Sequence, residues 1–128
     1  MSLHQSPFIS VKRISGKGRG VVARVDIPAE TEFERAPVLV LPDEAVDENM
    51  LVHYVYHWGR GTVGLVLGYG SLYNHSFRPN ARYDDIGQQT KVFTALRDIA
   101  AGEEITINYN GEPDSDTPVH FDVREDDR

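Results

Sequence analysis

The residues with the most varied hydrogen-bonding chemistry lie in one polar stretch, GSLYNHSFRPNA, residues 70–81. The stretch holds two asparagines, a histidine, an arginine and a proline, and its apolar residues follow neither a helical nor a strand period. Loops that combine such groups are where binding and catalytic residues are usually found. We therefore predict that residues 70–81 form a loop that binds a ligand.

Three familiar kinds of site fit the other polar residues poorly. The glycine-rich segment GKGRG, residues 16–20, lacks the Ser/Thr and the following helix of a phosphate loop. Closely spaced glycines nevertheless let a backbone approach a ligand. His53 and His57 would lie about 13 Å apart on a strand, too far for one metal ion, so we expect no metal. Ser71 lacks the spacing of a G-x-S-x-G nucleophile.

Length and composition narrow the class of protein. The chain has 128 residues, no cysteine and a net charge of −7, which favours one domain without disulfides or thiolate zinc sites. The acidic balance argues against direct binding of nucleic acid. The sequence contains no run of about 18 apolar residues, so we predict no membrane span. The first residues do not resemble a secretory signal, so we expect a cytoplasmic location.

Alternating apolar residues, separated by glycine turns, predict a mostly β domain with little helix. The one short helix predicted covers residues 43–49, with Asp43 as its N-cap. The predicted strands are residues 8–14, 21–25, 37–42, 51–58, 63–68, 81–85, 90–99 and 105–109. Residues 26–33 are expected to form a turn. They share four of eight residues with residues 98–105, which suggests pseudo-symmetry between two strand–turn–strand units.

Three motifs in this order resemble the SET domain, the fold of protein-lysine methyltransferases. They are Gly18-Arg19-Gly20, then Asn74-His75-Ser76 with Pro79-Asn80, then Gly102-Glu103-Glu104-Ile105 through Tyr109. The resemblance implies a β-clip of several small sheets, in which the N-H-S and Tyr109 segments cross in a C-terminal pseudo-knot. It predicts a SET domain over residues 8–121 and an acidic tail over 122–128.

The resemblance also implies an activity, the transfer of a methyl group from S-adenosylmethionine to the ε-amine of a protein lysine. Tyr109 and Tyr83 match tyrosines of the methyl-transfer channel and are predicted to be catalytic. The residues predicted to bind the cofactor are Lys17, Gly18, Arg19, Gly20, Asn74, His75 and Phe121. No metal is implied.

The sequence departs from many family members at two places. It lacks their cysteine-rich zinc clusters and so resembles the minimal, zinc-free members, some of which form homodimers. We therefore expect Phe121 or His120 to cover the adenine or the lysine channel, and we predict a possible homodimer. Gly111 lies where members often have Phe or Tyr, which leaves the number of methyl groups added open.

The acidic surface predicts a basic protein substrate, such as a histone-like tail. A histone substrate would change the expected location to the nucleus, or to a host cell. Two alternatives stay open at the level of sequence. One is an inactive SET-like module that binds S-adenosylmethionine or a basic peptide, and the other is an unrelated β-rich protein.

Overall fold

The structure is a computed structural model that describes residues 6–119, so Phe121, His120 and the predicted tail lie outside the described residues. Nine strands and two short 3₁₀ helices make up the regular structure of that part. The strands are β1 (Ile9–Ile14), β2 (Gly18–Ala23), β3 (Glu32–Pro42), β4 (Tyr56–His57), β5 (Thr62–Val66), β6 (Asn74–His75), β7 (Ala81–Ile86), β8 (Thr90–Ala95) and β9 (Glu104–Ile107). The mostly β fold with little helix is thus confirmed.

The smaller sheet has the strand order β1-β2-β9-β6. Its strands β1 and β2 form the predicted hairpin, which pairs Ile14 with Gly18 across the glycine turn. Strand β6 pairs with β9 in parallel, with Asn74 opposite Thr106 and His75 opposite Ile107. A parallel pair requires a long connection between its strands. This pair therefore brings the N-H-S motif beside the chain that leads into Tyr109, as the resemblance implies.

The larger sheet has the order β4-β5-β3-β8-β7. Strands β7 and β8 form a hairpin that pairs Tyr83 with Phe93 and Asp85 with Lys91. Side chains two residues apart on a strand share a face of the sheet. Tyr83, Asp85, Lys91 and Phe93 therefore lie on one face, and the buried ring of Phe93 stacks on Tyr73 with centroids 4.4 Å apart.

The two similar turns, which begin at Asp26 and Asp98, are hydrogen-bonded to each other in the fold. Ile27 and Ile99 exchange both backbone hydrogen bonds, each at 2.8 Å. The aspartate that starts each turn accepts a hydrogen bond from a backbone amide of the other turn. These bonds run from Ala101 N–H to Asp26 (2.9 Å) and from Ala29 N–H to Asp98 (2.8 Å). The reciprocal contacts give the repeated sequence a pseudo-twofold relation.

Three local predictions were wrong. The short helix begins at Asp43 and ends at Ala45, so Pro42 rather than Asp43 occupies its N-cap. Residues 51–54 belong to a second 3₁₀ helix, Met50–Tyr54, and strand structure is confined to β4. Asn49 causes this difference, because its side chain accepts from Leu51 N–H at 2.9 Å and thereby caps the helix. The predicted turn at 26–33 ends early, since β3 already begins at Glu32.

Glu34 on β3 forms hydrogen bonds that hold the polar loop and the residues just before it. Its carboxylate accepts from the Tyr73 hydroxyl at 2.6 Å and from the Tyr69 amide at 2.9 Å, and only 7% of the residue is exposed. Burial raises the pKa of the Glu34 carboxyl, although these two hydrogen bonds oppose the rise. The folded protein therefore holds this proton more tightly than the unfolded chain does.

The raised pKa of Glu34 gives a stability prediction with a definite sign. Because the folded state binds the extra proton, the contribution of Glu34 to the free energy of unfolding increases as pH falls from the folded-state pKa toward the ordinary value of 4.5. We expect the free energy of unfolding of the wild type, relative to that of Glu34→Gln, to increase as the pH falls from 7 to 5. Urea unfolding at both pH values measures the difference. An opposite slope would mean that the hydrogen bonds outweigh the burial.

Candidate active site

The site is built on the β6–β9 crossing, where β6 pairs in parallel with β9, and the side chain of Asn80 joins the loop after β6 to β9. Its amide group donates to the Glu104 carbonyl at 2.8 Å and to Glu103 Oε2 at 3.2 Å, and its oxygen accepts from Thr106 N–H at 2.9 Å. Only 2% of Asn80 is exposed. An asparagine can donate and accept at once, so this residue satisfies buried backbone groups on both sides of Ile105.

A polar cluster of Lys17, Asn74 and Glu104 lies beside this crossing. Glu104 accepts from Lys17 Nζ at 2.7 Å and from Asn74 Nδ2 at 2.8 Å, and Asn74 Nδ2 also donates to the Arg19 carbonyl at 3.2 Å. The Lys17 and Glu104 side chains are only 8% and 6% exposed. The cluster thus joins the glycine-rich turn, the N-H-S motif and the G-E-E motif, which are far apart in sequence.

Gly20 provides the room for this polar cluster. A Cβ atom at this position would lie 2.6 Å from Asn74 Nδ2, 2.8 Å from Glu104 Oε2 and 2.8 Å from Ile14 Cγ1. Gly18, by contrast, has φ +77° and open space where its Cβ would be. The glycine-rich turn is therefore closed against the polar cluster at Gly20 and open to a ligand at Gly18.

The resemblance implies S-adenosylmethionine as the cofactor, and on that expectation Gly20→Ala should weaken binding of its product S-adenosylhomocysteine by about 10-fold or more, a loss of roughly 1.4 kcal/mol. The added methyl group would force apart Asn74 and Glu104, which are hydrogen-bonded to each other. Isothermal titration calorimetry measures the affinity. Gly59→Ala is the matched control, because its nearest neighbour would lie at 3.3 Å. Equal affinities for the two variants would show that the polar cluster does not shape the ligand site.

Tyr109 leaves the end of β9 and turns back over the polar loop. Its hydroxyl donates to the Tyr73 carbonyl at 2.6 Å, and its amide donates to His75 Nδ1 at 3.0 Å. His75 is buried and also contacts Phe77 edge to face, with ring centroids 4.5 Å apart. The histidine side chain thus holds the backbone that positions Tyr109, whose residue remains 41% exposed.

Tyr56, Tyr83 and Tyr109 form a tyrosine cluster at the edge of the loop. The Tyr56 hydroxyl donates to the Gly70 carbonyl at 2.6 Å, and the Tyr83 hydroxyl donates to the Tyr109 carbonyl at 3.3 Å. The rings of Tyr56 and Tyr83 meet edge to face with centroids 5.1 Å apart. The hydroxyls of Tyr56, Tyr83 and Tyr109 therefore each donate to a backbone carbonyl of the polar loop or of the segment after β9.

The hydroxyls of this cluster are held in their neutral form. Burial, followed by the charge of Glu104, raises the pKa of Tyr109 to about 12. Burial, followed by the charges of Asp85, Tyr109 and Glu112, raises the pKa of Tyr83 to about 12 as well. Near neutral pH both groups orient neighbours as hydrogen-bonding hydroxyls and do not act as bases.

The structure brings most of the predicted site residues together. Lys17, Gly20 and Asn74 meet in the polar cluster, Arg19 contributes its carbonyl, and Tyr83 reaches Tyr109. The ring of His75 accepts from the Tyr109 amide, so His75 joins the polar loop to the Tyr109 segment. Gly18 faces open space in the same turn, and Phe121 lies outside the described residues.

Sequence reasoning missed two residues of the site. Glu104 was recognised as part of a motif, but its role at the centre of the polar cluster depends on partners that are distant in sequence. Tyr56 was assigned to a uniform strand among other aromatic residues, and no spacing marked it out. Tyr56 can be recognised as a site residue only in the folded structure, where its ring contacts that of Tyr83 on β7.

Two further classes of site can be addressed in the described part of the chain. Residues 6–119 contain no group of three His, Asp or Glu side chains that could hold a metal ion. His53 and His57 are both exposed, on the second 3₁₀ helix and on β4. Over the same residues, no helix has the length and apolar character needed to cross a membrane.

Comparison with known proteins agrees with this geometry. The sequence profile of the SET domain family matches residues 18–110, which include the glycine-rich turn, the polar loop and Tyr109. The chain belongs to the SET domain family. The resemblance seen in the three motifs is thereby confirmed, and an unrelated β-rich protein is excluded.

The relatives include lysine methyltransferases of fission yeast and a solved parasite structure. The histone-lysine N-methyltransferase of Schizosaccharomyces pombe that is specific for H3 lysine 37 is 35% identical over 106 residues, covering 79% of this chain and 72% of the relative. Histone-lysine N-methyltransferase set5 of the same yeast is 26% identical over 140 residues; the match covers 85% of this chain but 44% of that protein. The structure of a candidate histone methyltransferase of Plasmodium falciparum has a TM-score of 0.70 at 31% identity, covering 84% and 95% of the two chains.

Proposed function

We propose that this protein transfers a methyl group from S-adenosylmethionine to the ε-amine of a lysine in a basic protein substrate. One observation carries the proposal. Tyr73 and Asn74 are adjacent, yet the Tyr73 carbonyl accepts from the tyrosine cluster while the Asn74 amide belongs to the polar cluster. A single backbone step thus separates a site suited to an amino-acid cofactor from a site suited to an amine.

The polar cluster fits the amino-acid part of the cofactor. That part is a zwitterion, and the cluster holds the Lys17 cation and the Glu104 carboxylate, which are paired with each other at 2.7 Å and would exchange this contact for the carboxylate and the ammonium group of the ligand. The Arg19 carbonyl and the open backbone at Gly18 lie in the same turn. When bound, the cofactor supplies an activated methyl group on a sulfonium centre. Lys17, Gly18, Arg19, Gly20, Asn74 and Glu104 are the residues that would hold it.

The tyrosine cluster orients the neutral ε-amine of the substrate lysine in line with that methyl group. Free lysine has a pKa near 10.4, so only about one molecule in 10³ is neutral at pH 7.4. Burial raises the pKa of Tyr83 and of Tyr109 to about 12, so neither is ionised near neutral pH. The proton of the substrate ammonium therefore leaves to water before the amine attacks the methyl group. The hydroxyl oxygens then accept from the amine and fix its direction, which is the main catalytic contribution available to this site.

The surface charge near the site supports a basic substrate. Asp84 and Asp85 are exposed on β7 next to Tyr83, where they pair with Arg82 and Lys91, and Glu112 raises the Tyr83 pKa through its charge. The net charge of −7 on the chain attracts a lysine-rich segment before the target amine enters. Because the S. pombe relative is named for H3 lysine 37, a histone H3 peptide that spans lysine 37 is the first substrate we would test. A histone substrate would place the protein in the nucleus rather than the cytoplasm. Homodimer formation stays a prediction.

Calorimetric titration with S-adenosylmethionine and S-adenosylhomocysteine tests the cofactor part of the proposal. We expect one-to-one binding by the wild type, and we expect Asn74→Ala to abolish it because Glu104 and the Arg19 carbonyl lose their shared donor. Asn110→Ala, which changes an exposed asparagine whose side chain donates to the Thr117 carbonyl at 2.8 Å, should bind normally. Wild-type protein that binds neither compound, with or without the H3 peptide, would contradict the proposal.

A further inference from the structure

Lys91 is a buried lysine on the wall of the tyrosine cluster. It lies on β8 opposite Asp85 of β7 and is only 1% exposed. Its Nζ donates to Asp85 Oδ1 at 2.6 Å. Burial of an ammonium group is costly unless the charge is paired and stabilised by further contacts, so the environment of this group has to supply them.

Aromatic rings supply the other contacts of Lys91. Its Nζ lies 4.1 Å from the ring centroid of Tyr83, 4.2 Å from that of Tyr56 and 5.2 Å from that of Trp58. A cation over the face of an aromatic ring is stabilised by the negative charge density of that face. Two of these three rings belong to the tyrosine cluster, so the Lys91 ammonium lies directly behind the surface that would receive the substrate amine.

The ion pair has a fixed orientation. The side chain of Lys91 is 1% exposed and that of Asp85 is 45% exposed, so the positive end points into the protein toward Tyr56 and Tyr83. The negative end points toward a surface groove of about 490 Å³ that is also lined by Trp58 and Gln88. The tyrosine cluster therefore faces the positive end of the pair.

The groups that act on Lys91 come from three strands. Strand β7 contributes Asp85, Asp84 and Tyr83, β4 contributes Tyr56, and β3 places the uncharged Ala36 opposite Lys91. Burial is the largest effect and lowers the pKa of Lys91 overall, although the hydrogen bond and charge of Asp85, and the charge of Asp84, oppose this. The charge of Glu34 also acts on Tyr56, and that of Glu112 acts on Tyr83.

We propose that Lys91 is a positioning residue that favours the neutral form of the substrate lysine by placing a fixed ammonium ion behind Tyr56 and Tyr83. The inference rests on the proposed function. Two effects act in the same direction. A positive charge repels a second ammonium group that enters the tyrosine cluster, and Lys91 already occupies ring faces of Tyr56 and Tyr83 that would otherwise stabilise that group.

The pKa of the bound substrate lysine is the quantity that Lys91 should change. Two like charges separated by roughly 8 Å in a medium of effective dielectric constant about 20 shift a pKa by about 1.5 units, and solvent at the partly exposed tyrosine cluster screens part of this. We therefore expect removal of the Lys91 charge to raise the pKa of the bound lysine by about one unit. The neutral fraction at a given pH would fall by about tenfold.

Nuclear magnetic resonance of a labelled peptide measures this pKa without any turnover. The full chain is saturated with S-adenosylhomocysteine and with an H3 peptide whose lysine 37 carries ¹³C at Cε, and the Cε chemical shift is followed against pH. The variants are Lys91→Met, which removes the charge at similar length, and Lys91→Arg, which keeps it. Lys12→Met is the matched control, because Lys12 is exposed on β1. If Lys91→Met does not fold, Lys91→Gln takes its place.

The expected result is a bound-lysine pKa below the free value of about 10.4 in the wild type, Lys91→Arg and Lys12→Met, and a value about one unit higher in the uncharged Lys91 variant. An uncharged variant with the wild-type pKa would overturn the inference and leave the proposed function intact. Wild-type protein that does not bind the peptide would instead overturn the proposed function, and the inference with it.

Discussion

Replacing Tyr109 by phenylalanine should lower kcat for lysine methylation by about 100-fold, the usual effect of losing precise alignment at a reacting centre. The hydroxyl is fixed by its bond to the Tyr73 carbonyl at 2.6 Å, and the variant keeps the ring in place while it loses the oxygen that orients the amine. Affinity for S-adenosylhomocysteine should remain unchanged, because the polar cluster is built from other side chains. Initial rates with the H3 peptide and calorimetry measure the two quantities.

Tyr54→Phe is the matched control for this experiment. Tyr54 is 42% exposed, close to the 41% of Tyr109, but it lies on the second 3₁₀ helix outside the tyrosine cluster. The Tyr54→Phe substitution also removes one hydroxyl, and it should leave kcat unchanged. If Tyr109→Phe and Tyr54→Phe had the same rate, the Tyr109 hydroxyl would have no part in presenting the amine.

Asn80→Ala should be the most destabilising single substitution considered, with a loss of about 3 kcal/mol in the free energy of unfolding. The change leaves the Thr106 amide and the Glu104 carbonyl buried without the partner that Asn80 provides. Since 2% of Asn80 is exposed, water cannot replace the side chain easily. Urea unfolding at pH 7 measures the loss.

Asn110→Ala serves as the comparison for Asn80→Ala, because the side chain of the exposed Asn110 donates to the Thr117 carbonyl at 2.8 Å. We expect this control to lose less than about 1 kcal/mol. Similar losses in the two variants would show that the crossing of β6 and β9 does not depend on the Asn80 amide.

The sequence predicted the site most successfully where a local motif carries the geometry. The resemblance carried by the N-H-S-x-x-P-N segment implied that Asn74 and His75 meet the Tyr109 segment, and in the structure both residues pair with β9 while the Tyr109 amide donates to His75. Alternation likewise predicted the β1–β2 and β7–β8 hairpins. In both cases the signal lies within a few neighbouring residues.

The parts that could not be predicted depend on packing between distant strands. Lys91 belongs to an ordinary strand pattern, and its burial follows only from the placement of Tyr56 on β4 and Asp85 on β7 around it. The assignment of residues 51–58 as one strand failed because a single side chain, Asn49, caps a 3₁₀ helix that starts at Met50. A run rich in aromatic and β-branched residues does not reveal such a cap.

Mass spectrometry of methyl transfer tests the central claim most directly. The full chain is incubated with S-adenosylmethionine and an H3 peptide spanning lysine 37, beside the same peptide with arginine at that position, and the peptides are fragmented to locate any added methyl group. The account predicts methylation at the lysine ε-amine, none on the arginine peptide and little with Tyr109→Phe. Protein that binds S-adenosylhomocysteine yet methylates neither this peptide nor any lysine in a pool of basic proteins would contradict it, and would identify the domain as an inactive binding module.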